Sequence, residues 1–306
     1  MRLGITGAGG FVGRRLAELA AADARVSGLV LNDLGPLPEI AGATRVPGSI
    51  NDVGVRARFC DGVDGVIHLA AILGGAAESD PALARRVNVD GTLDLFEDLR
   101  ARNPGARVVF ASTIAVYGKP MPDPVTDATP TAPQMLYGAH KLMIEVALSH
   151  STRRGWLDGI SLRPSGVMAR DGADAGLKSA FLSRLFWCVA RGEDITLPVA
   201  EDSRTWLTSI ETVAANFLHA ALVPDLGPDR ALTLPALSLT FGELVAALRR
   251  RFPASPSRIT FAPDPAIIAL FGTYPRLETG GADALGFRRD ADSDALVRAA
   301  MSGLQG

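Results

Sequence analysis

The residues best suited to chemistry in this sequence are a tyrosine and a lysine four positions apart, in the stretch YGAHK at 137–141. The 306-residue chain has three tyrosines and three lysines, so chance placement predicts only about 0.03 such pairs. Residues four apart on a helix share a face, which places the ammonium of Lys141 beside the phenol of Tyr137. A phenol with a pKa of about 10 is a weak base at neutral pH, and a neighbouring positive charge lowers that pKa. We therefore predict that Tyr137 is a general base and that Lys141 supports it.

A third polar group is expected to hold the oxygen of a substrate. The stretch FASTIAVYG places Ser112 and Thr113 at the end of a predicted strand, 108–112. Ligands of open parallel sheets bind beyond the carboxyl ends of the strands. Neighbouring side chains of a strand point to opposite faces, so only one of these two hydroxyls can face the substrate. Thr113 is the first choice for this catalytic role and Ser112 is the alternative.

A glycine-rich turn near the start of the chain has the pattern of a phosphate-binding loop. The stretch ITGAGGFVG has the form T-G-x-x-G-x-x-G and lies between a predicted strand, Arg2–Thr6, and a predicted helix, Phe11–Ala22. Backbone amides of such a loop approach a pyrophosphate at the N-terminus of the helix. The residues predicted to bind a nucleotide here are Gly7, Gly10, Phe11, Val12 and Gly13.

An acidic residue follows this loop at the distance expected for a dinucleotide site. Asp33 comes directly after the second predicted strand, 26–32, and its carboxylate can accept a hydrogen bond from an adenosine ribose. A carboxylate at this position repels the 2′-phosphate of NADP, so the predicted cofactor is NAD. Asn32 is the alternative ribose-binding residue if the register of the strand differs by one.

The elements that must position these residues alternate between strands and helices over the first two-thirds of the chain. Strands are predicted at Arg2–Thr6, 26–32, 65–69, 108–112 and 159–163, and helices at Phe11–Ala22, 81–101 and 134–154. This alternation is typical of βαβ units, whose crossovers are right-handed. The predicted fold class is α/β, with a Rossmann-type doubly wound parallel sheet.

After about residue 165 the pattern becomes less regular. Helices are predicted at Ala180–Arg191, at 264–271 and at 240–250, where TFGE at 240–243 forms a capping box. We therefore predict an NAD-binding Rossmann domain at 1–165 and a smaller mixed substrate-binding region at 166–306. The segment 209–235 is predicted to return to the first domain, because its apolar stretch at 209–222 can cover the sheet.

The composition argues against several classes of partner. With 47% hydrophobic residues and a formal net charge of −2, the chain reads as a soluble globular protein, without the clustered positive charge that nucleic acid or an anionic membrane would attract. No apolar run approaches the roughly 18 residues of a membrane span. Cys60 and Cys188 lie far apart and form no metal or disulfide pattern. No metal is therefore expected, and a cytoplasmic location with reduced thiols is predicted.

Several motifs together resemble the extended short-chain dehydrogenase/reductase superfamily over about residues 1–165. They are the glycine loop, HLAA at 68–71, VNVDGT at 87–92, STIAVYG at 112–118, Y-x-x-x-K and LRP at 162–164. The resemblance implies that Tyr137 is the catalytic base, that Lys141 also binds a cofactor ribose and that Thr113 is the catalytic hydroxyl. It further implies cofactor contacts by Ser49 and Ile50 near the adenine, where Ser49 replaces the usual aspartate. The other residues that it implies for the cofactor site are Leu69, Ala70, Ala71 and Asn88.

Other residues narrow the reaction that the resemblance implies. Dehydratases of the superfamily resemble one another in an acidic pair after the catalytic hydroxyl, where this chain has Ile114 and Ala115, so dehydration is not expected. The second half resembles the D-erythronate dehydrogenases in STRRGWLDG at 151–159, DSRTW at 202–206 and APDPAI at 262–267. This resemblance implies NAD-dependent oxidation of a small sugar acid at C2, and it is compatible with a homodimer. A nucleotide-sugar epimerase with bound NAD and a non-catalytic NAD-binding protein are the alternative functions.

Four further polar residues receive specific predictions. Arg204 is the predicted partner of a substrate carboxylate, because a guanidinium can form a bidentate pair and Trp206 beside it offers an aromatic wall. The alternative for Arg204 is a structural role between the two regions. Structural roles are predicted for Arg163 and for the side chain of His68, each at a strand end. His140, inside Y-x-x-x-K, is predicted to point away from the catalytic pair and into solvent.

Overall fold

The computed structural model describes residues 1–170 and 179–302, which form a central sheet covered by helices and a smaller mixed region. The strands, numbered in chain order, are β1 (Arg2–Thr6), β2 (Gly28–Asp33), β3 (Thr44–Pro47), β4 (Gly65–His68), β5 (Arg107–Ala111), β6 (Asp158–Arg163), β7 (Gly166–Val167), β8 (Ile195–Leu197), β9 (Arg204–Thr208), β10 (Ala231–Thr233), β11 (Leu237–Thr240) and β12 (Ile259–Phe261). The helices are α1 (Phe11–Ala22), α2 (Val53–Phe59), α3 (Gly74–Ser79), α4 (Pro81–Arg85), α5 (Gly91–Arg102), α6 (Leu136–Arg153), α7 (Ala180–Arg191), α8 (Ile210–Leu222), α9 (Phe241–Arg251), α10 (Pro265–Phe271), α11 (Gly280–Ala284) and α12 (Ser293–Ala300).

Within the described residues, seven strands form the central sheet, in the order β10-β6-β5-β4-β1-β2-β3. Each neighbouring pair is parallel. The chain runs from β1 outward to β2 and β3, returns to β4 on the other side of β1, and continues to the opposite edge. The sheet is therefore doubly wound, which confirms the predicted fold class. The reversal between β1 and β4 opens a crevice at the carboxyl ends of these strands, where ligands bind in such folds.

Helices cover both faces of the sheet, because successive side chains of each strand point to opposite sides. Leu3 of β1 belongs to a buried cluster that includes residues of α1 and α8. Val108 and Phe110 of β5 belong to a second buried cluster, with residues of α2, α5 and α6. Strands buried on both faces read as continuous apolar runs, which is why the sequence pattern identified most of them.

The chain after β6 contributes to two parts of the structure. In the first, α8 packs against α1 and β10 pairs with β6, so the segment 209–235 contributes a helix and a strand to the sheet layer. In the second, β9 pairs with β11 and β7, and β8 pairs with β12. A separate buried cluster joins α7, α9 and α12 around Phe186 and Phe241. The division of the chain at residue 165 stays a prediction.

Local signals set the bounds of several helices as predicted. The backbone N–H of Thr240 donates to Glu243 Oε2 at 2.6 Å, and that of Glu243 donates to Thr240 Oγ1 at 3.1 Å, so the capping box opens α9. α10 begins after Asp264, whose carboxylate accepts from the N–H of Ala266 at 2.8 Å. Each of these caps satisfies a first-turn amide that has no partner inside its helix.

Three differences between the structure and the sequence prediction affect the segments that carry predicted site residues. β2 begins two residues later than predicted and includes Asp33. β3 was not predicted, because only Val46 of its four residues is buried and the apolar pattern is therefore weak. The predicted helix 81–101 is divided into α4, a π-helical segment Arg86–Asp90 and α5. This segment carries the buried Asn88, whose amide holds the backbone of Ile72.

The prediction that His140 points into solvent is wrong. Its side chain is only 6% exposed, because α3 and the π-helical segment pack against α6 on this side. Burial disfavours the charged imidazole and lowers the pKa of His140, and the positive charge of Arg85 lowers it further. The part of α6 that carries His140 is therefore covered by protein and not by solvent.

Two features bear on the predicted location of the protein. Cys60 and Cys188 are buried free thiols, and burial raises the pKa of both, that of Cys60 to about 12. Among residues 1–170 and 179–302, no helix combines the length and the apolar character needed to cross a bilayer. A cytoplasmic location stays a prediction.

Candidate active site

The glycine loop lies between β1 and α1 and leaves space only for backbone. Gly7 has a φ of +70°, and a Cβ added there would lie 2.9 Å from the backbone nitrogen of Ala70. A Cβ on Gly13 would lie 2.0 Å from the carbonyl oxygen of Gly7. Gly10 is the N-cap of α1, whose first turn contains Phe11 and Val12. The first-turn amides have no partners inside the helix, so this arrangement fits a pyrophosphate.

Asp33 lies against the glycine loop at the end of β2. Its Oδ2 accepts a hydrogen bond from the N–H of Gly9 at 2.9 Å, and its Oδ1 accepts from the N–H of Gly35 at 2.8 Å. Asn32 is buried, and its amide donates to the carbonyl oxygens of Val46 and Gly48 at 2.8 and 3.0 Å. The structure therefore brings Asp33 to the loop and uses Asn32 to hold β3 and its following turn.

The segment after β4 forms a second wall of the crevice. The N–H of Leu69 donates to the carbonyl oxygen of Thr6 at 3.2 Å, and that of Ala70 donates to Thr6 Oγ1 at 3.3 Å. Ala71 follows, and the amide of Asn88 then exchanges two hydrogen bonds with the backbone of Ile72, at 2.7 and 2.9 Å. Asn88 thus fixes the path of this segment by holding its backbone.

The predicted adenine-side residues lie after β3. Ser49 Oγ accepts from the N–H of Asn51 at 3.2 Å, which forms a small turn. Ile50 is buried, and its carbonyl oxygen accepts from Arg56 at 3.0 Å. Their contacts with a cofactor stay predictions.

Tyr137, Thr113 and Lys141 meet at the carboxyl end of the sheet. Tyr137 lies in the first turn of α6, and its phenol shares a hydrogen bond with the side chain of Thr113. Thr113 Oγ1 also accepts from the N–H of Ala115 at 3.1 Å, which fixes the hydroxyl. Lys141 is buried, with its Nζ 4.5 Å from the ring centroid of Phe110 and 5.7 Å from that of Tyr137.

Burial shifts the pKa values of Tyr137 and Lys141. Burial raises the pKa of Tyr137 to about 12, although the charge of Arg170 and the hydrogen bond from Thr113 act to lower it. Burial lowers the pKa of Lys141 to about 7, and the negative charge of Glu145 opposes that shift. The predicted lowering of the Tyr137 pKa is therefore wrong for the protein alone, because removal of the phenol from water outweighs the neighbouring positive charge.

Ser112 points to the other side of β5 and joins a buried network. Its hydroxyl donates to Glu145 Oε1, and Arg163 pairs with the same carboxylate through Nε at 2.8 Å and Nη2 at 2.6 Å. Arg163 Nη1 also donates to the hydroxyl of Tyr117 at 3.1 Å, and Tyr117 bonds Thr233 Oγ1 at 2.7 Å. The structure thus brings Thr113 to Tyr137, brings Ser112 to Glu145, and gives Arg163 the predicted structural contacts.

His68 also has a structural environment, as predicted. Its Nδ1 lies 2.6 Å from Thr6 Oγ1 and its Nε2 lies 2.9 Å from Thr92 Oγ1, so both ring nitrogens have partners. The ring stacks on Phe110. Burial lowers the pKa of His68 to about 3, and the neighbouring Lys141 lowers it further, so the imidazole is neutral.

Two arginines after residue 165 are candidate partners for a substrate carboxylate. Arg204 is the exposed first residue of β9, and its backbone bonds Gly272 and Tyr274. Trp206 is 1% exposed and donates its indole N–H to Pro275, so it packs in the core and is not the predicted aromatic wall. Arg170, which the sequence analysis did not identify, has a guanidinium whose charge acts on Tyr137.

The backbone around Arg170 is held firmly. The residue before it, Ala169, has a φ of +60°, which is rare for residues other than glycine. The N–H of Arg170 donates to Ser183 Oγ at 3.2 Å, and its carbonyl oxygen accepts from Trp187 Nε1 at 3.0 Å. In the sequence, Arg170 is marked only by its position soon after the LRP motif.

Glu145 could have been found more easily from the sequence, because it follows Lys141 by four residues on the same helix.

Comparison with known proteins agrees with this geometry. The family model for the NAD dependent epimerase/dehydratase family matches residues 3–229. The D-erythronate dehydrogenase of Haemophilus influenzae is 32% identical, over 97% of this chain and 98% of that protein. The D-erythronate dehydrogenase of Cupriavidus necator is 34% identical, over 98% of each chain.

A solved structure shows the same fold over nearly the whole chain. The crystal structure of the nucleoside-diphosphate-sugar epimerase from Agrobacterium tumefaciens superposes with a TM-score of 0.90 at 31% identity, and the match covers 99% of this chain and 94% of that one. These comparisons confirm the prediction of an NAD-dependent dehydrogenase of the extended short-chain type. The glycine loop, with the Asp33 carboxylate beside it, agrees with the family match over residues 3–229. This chain therefore belongs to the NAD dependent epimerase/dehydratase family, and its cofactor is NAD.

Proposed function

We propose that the protein oxidises D-erythronate at its C2 hydroxyl to the 2-oxo acid, with Tyr137 as the general base. The observation that carries the proposal is the meeting of Tyr137, Thr113 and Lys141 at the carboxyl end of the sheet. Its support from the comparisons is the full-length similarity to two D-erythronate dehydrogenases. The chemistry that NAD supplies when bound is acceptance of a hydride from C2.

The proposed role of the protein residues follows from their positions. Thr113 orients the C2 hydroxyl, and Tyr137 takes its proton as the carbonyl forms. Burial raises the pKa of Tyr137, so the phenolate needs positive charge close by. Lys141 supplies that charge one helical turn away, and the positive charge of Arg170 adds to it.

The substrate carboxylate also needs a positive partner, because a buried anion without one is strongly disfavoured. Arg204 was predicted for this role from the sequence and stays a candidate at its exposed position. Arg170 is the stronger candidate, because its charge acts on Tyr137 and the carboxylate of a 2-hydroxy acid lies one carbon from the reacting hydroxyl. Only substitution of both arginines in parallel separates these assignments.

The second candidate function is that of a nucleotide-sugar epimerase. It is favoured by the similarity to the Agrobacterium tumefaciens nucleoside-diphosphate-sugar epimerase at 31% identity. Both reactions use a tyrosine base and a hydride transfer, but an epimerase returns the hydride and releases no NADH. A non-catalytic NAD-binding protein is disfavoured, since it would not need Thr113, Tyr137 and Lys141 in contact.

The test is an assay of net NADH formation. The purified protein is incubated with NAD and a set of C4–C6 sugar acids, or with UDP-sugars, and absorbance of NADH is followed while products are identified. We expect D-erythronate to give equal amounts of NADH and 2-oxo acid, and UDP-glucose to give no turnover. Epimerisation of UDP-glucose without net NADH would replace this proposal with the epimerase. No turnover with any compound, in protein that binds NAD, would favour the non-catalytic alternative.

We also propose that the partner of the protein is a second copy of itself. Exposed apolar side chains lie on adjacent helices of the sheet domain, namely Leu93 on α5 and Met143 and Val146 on α6. A twofold axis beside this patch would bury it against itself. Light scattering of the wild type and of Val146→Glu tests the dimer: a dimeric wild type and a monomeric variant are expected, and a monomeric wild type would refute it.

A further inference from the structure

The candidate for a further role is Glu145, which the proposed reaction does not use directly. Its carboxylate is 3% exposed and lies one helical turn after Lys141 on α6. Two side chains hold it, Ser112 from the segment after β5 and Arg163 from β6. Both carboxylate oxygens are therefore occupied and the side chain has a fixed position.

The charge balance around this carboxylate is unusual. Lys141 and Arg163 are both buried cations, at 2% and 6% exposure; the buried carboxylate of Glu145 pairs with Arg163, and its charge also acts on Lys141. A buried charge without a partner is costly and loses or gains a proton instead. Arg163 cannot lose its proton at any relevant pH, so the absence of Glu145 would act mainly on Lys141. Glu145 raises the pKa of Lys141 against the effect of burial.

Among residues 1–170 and 179–302, the other ionisable groups near Lys141 do not supply this negative charge. His68 is neutral and already has two partners, and the phenol of Tyr137 is protonated in the protein alone. The remaining charged groups face other residues: Arg170 acts on Tyr137, and Glu78, Arg85 and Asp90 act on His140 from α3, α4 and the π-helical segment.

We propose that Glu145 is a positioning residue of the active site, whose carboxylate, fixed by Arg163 and Ser112, keeps the ammonium of Lys141 charged beside Tyr137. The inference rests on the proposed role of Tyr137 as base, but it concerns a proton on Lys141 that is present without substrate. It also explains why Ser112 lies next to Thr113 yet contacts Glu145: Ser112 orients the carboxylate and Thr113 orients the substrate.

The composition of the chain permits a direct measurement. With only three lysines, Lys119, Lys141 and Lys178, protein labelled with ¹³C at lysine Cε gives three resonances whose pH titrations are resolved. Lys141→Met assigns the resonance of interest. In the wild type we expect Lys141 to titrate near its pKa of about 7. A Lys141 that is already neutral at about pH 6 would overturn the proposal without any variant.

Two variants separate positioning from simple structural support. Glu145→Gln should lower the titration midpoint of Lys141 by at least about one pH unit, the scale of a nearby opposite charge. The maximal kcat/KM should fall about tenfold, because a neutral lysine no longer stabilises the phenolate. The Glu145→Met/Arg163→Met double variant removes both members of the ion pair together, and it should therefore fold, since apolar replacement of a buried pair is often neutral. The double variant should still show part of the decrease in the titration midpoint of Lys141.

A matched control is a partly buried ion pair outside the site. Asp98 pairs with Arg56 at 2.7 Å between α2 and α5. Asp98→Asn should lower thermal stability but leave the Lys141 midpoint and kcat/KM unchanged. A folded double variant with a wild-type Lys141 midpoint would overturn the proposal, whether or not Glu145→Gln folds. Failure of the protein to oxidise sugar acids would refute the proposed function and leave the titration result standing.

Discussion

Gly13 offers the sharpest test of how the cofactor loop is built. In Gly13→Ala the new Cβ would lie 2.0 Å from the carbonyl oxygen of Gly7 and 2.8 Å from the Cα of Ala8. Those atoms are backbone and cannot turn aside, so the N-terminus of α1 must move away from the loop by about 1 Å or more to restore ordinary contact. Forced overpacking of this kind costs about 1–3 kcal/mol.

The expected effects follow from that free energy. A loss of about 1–3 kcal/mol in the stability of the folded state lowers Tm by about 2–5 °C for a protein of this size. The same displacement moves the first-turn amides of α1, so we expect the Kd for NAD to rise about tenfold to a hundredfold. Differential scanning calorimetry measures the first quantity and isothermal titration calorimetry the second.

Gly28→Ala is the matched control for this experiment. Gly28 begins β2, and a Cβ added there would lie 3.7 Å from Arg2 Cγ, which is ordinary contact. This variant should keep the Tm and the NAD affinity of the wild type. The reasoning is refuted if Gly13→Ala also binds NAD with unchanged affinity and unchanged Tm, since the close approach of α1 to the loop would then not limit binding.

Three further predictions concern single side chains. Tyr137→Phe should retain NAD binding and lower kcat by about 10²–10⁴, the scale of general acid–base catalysis; near wild-type turnover would remove Tyr137 from the mechanism. Asp33→Ala should narrow the preference for NAD over NADP, measured as the ratio of kcat/KM values, and a wild type that uses both cofactors equally would contradict the role of Asp33. Arg170→Met should raise the KM for D-erythronate about tenfold to a hundredfold, as expected for the loss of one charged hydrogen bond, while Arg204→Met serves as the comparison. A larger effect at Arg204 than at Arg170 would reverse the assignment of the carboxylate partner.

The cofactor half of the site was the more predictable half, because its signals are local. The spacing of Gly7, Gly10 and Gly13 depends on one short turn, and α1 begins and ends where the apolar periodicity placed it. Asp33 follows the same rule, since it comes directly after an apolar run that the core requires. The choice between Asp33 and Asn32 was open from the sequence; in the structure Asn32 contacts the backbone of Val46 and Gly48, Asp33 contacts the glycine loop, and the ribose contact of Asp33 stays a prediction.

The second half was less predictable, because its elements are short and its partners are distant in sequence. The capping box at Thr240 was found from the sequence, but the pairing of β9 with β11 and β7 was not. Trp206 lay in a motif that was read as part of the substrate site, yet its ring packs in a buried cluster. A motif shows which residues are close in the chain and does not show which side of a strand becomes core.

The sequence by itself determined the residue types of the proposed chemistry, their spacing on one helix and the fold that places them at a sheet edge. Only the tertiary structure decided how readily these side chains gain or lose a proton. Burial raises the pKa of Tyr137, lowers that of Lys141 and encloses His140, and none of these effects is local to a motif. The residue that opposes the pKa shift of Lys141 is Glu145 on α6, which Arg163 holds from β6, 18 residues further along the chain. A side chain's protonation depends on the water and the charges around it, and those are set by packing between elements far apart in the chain.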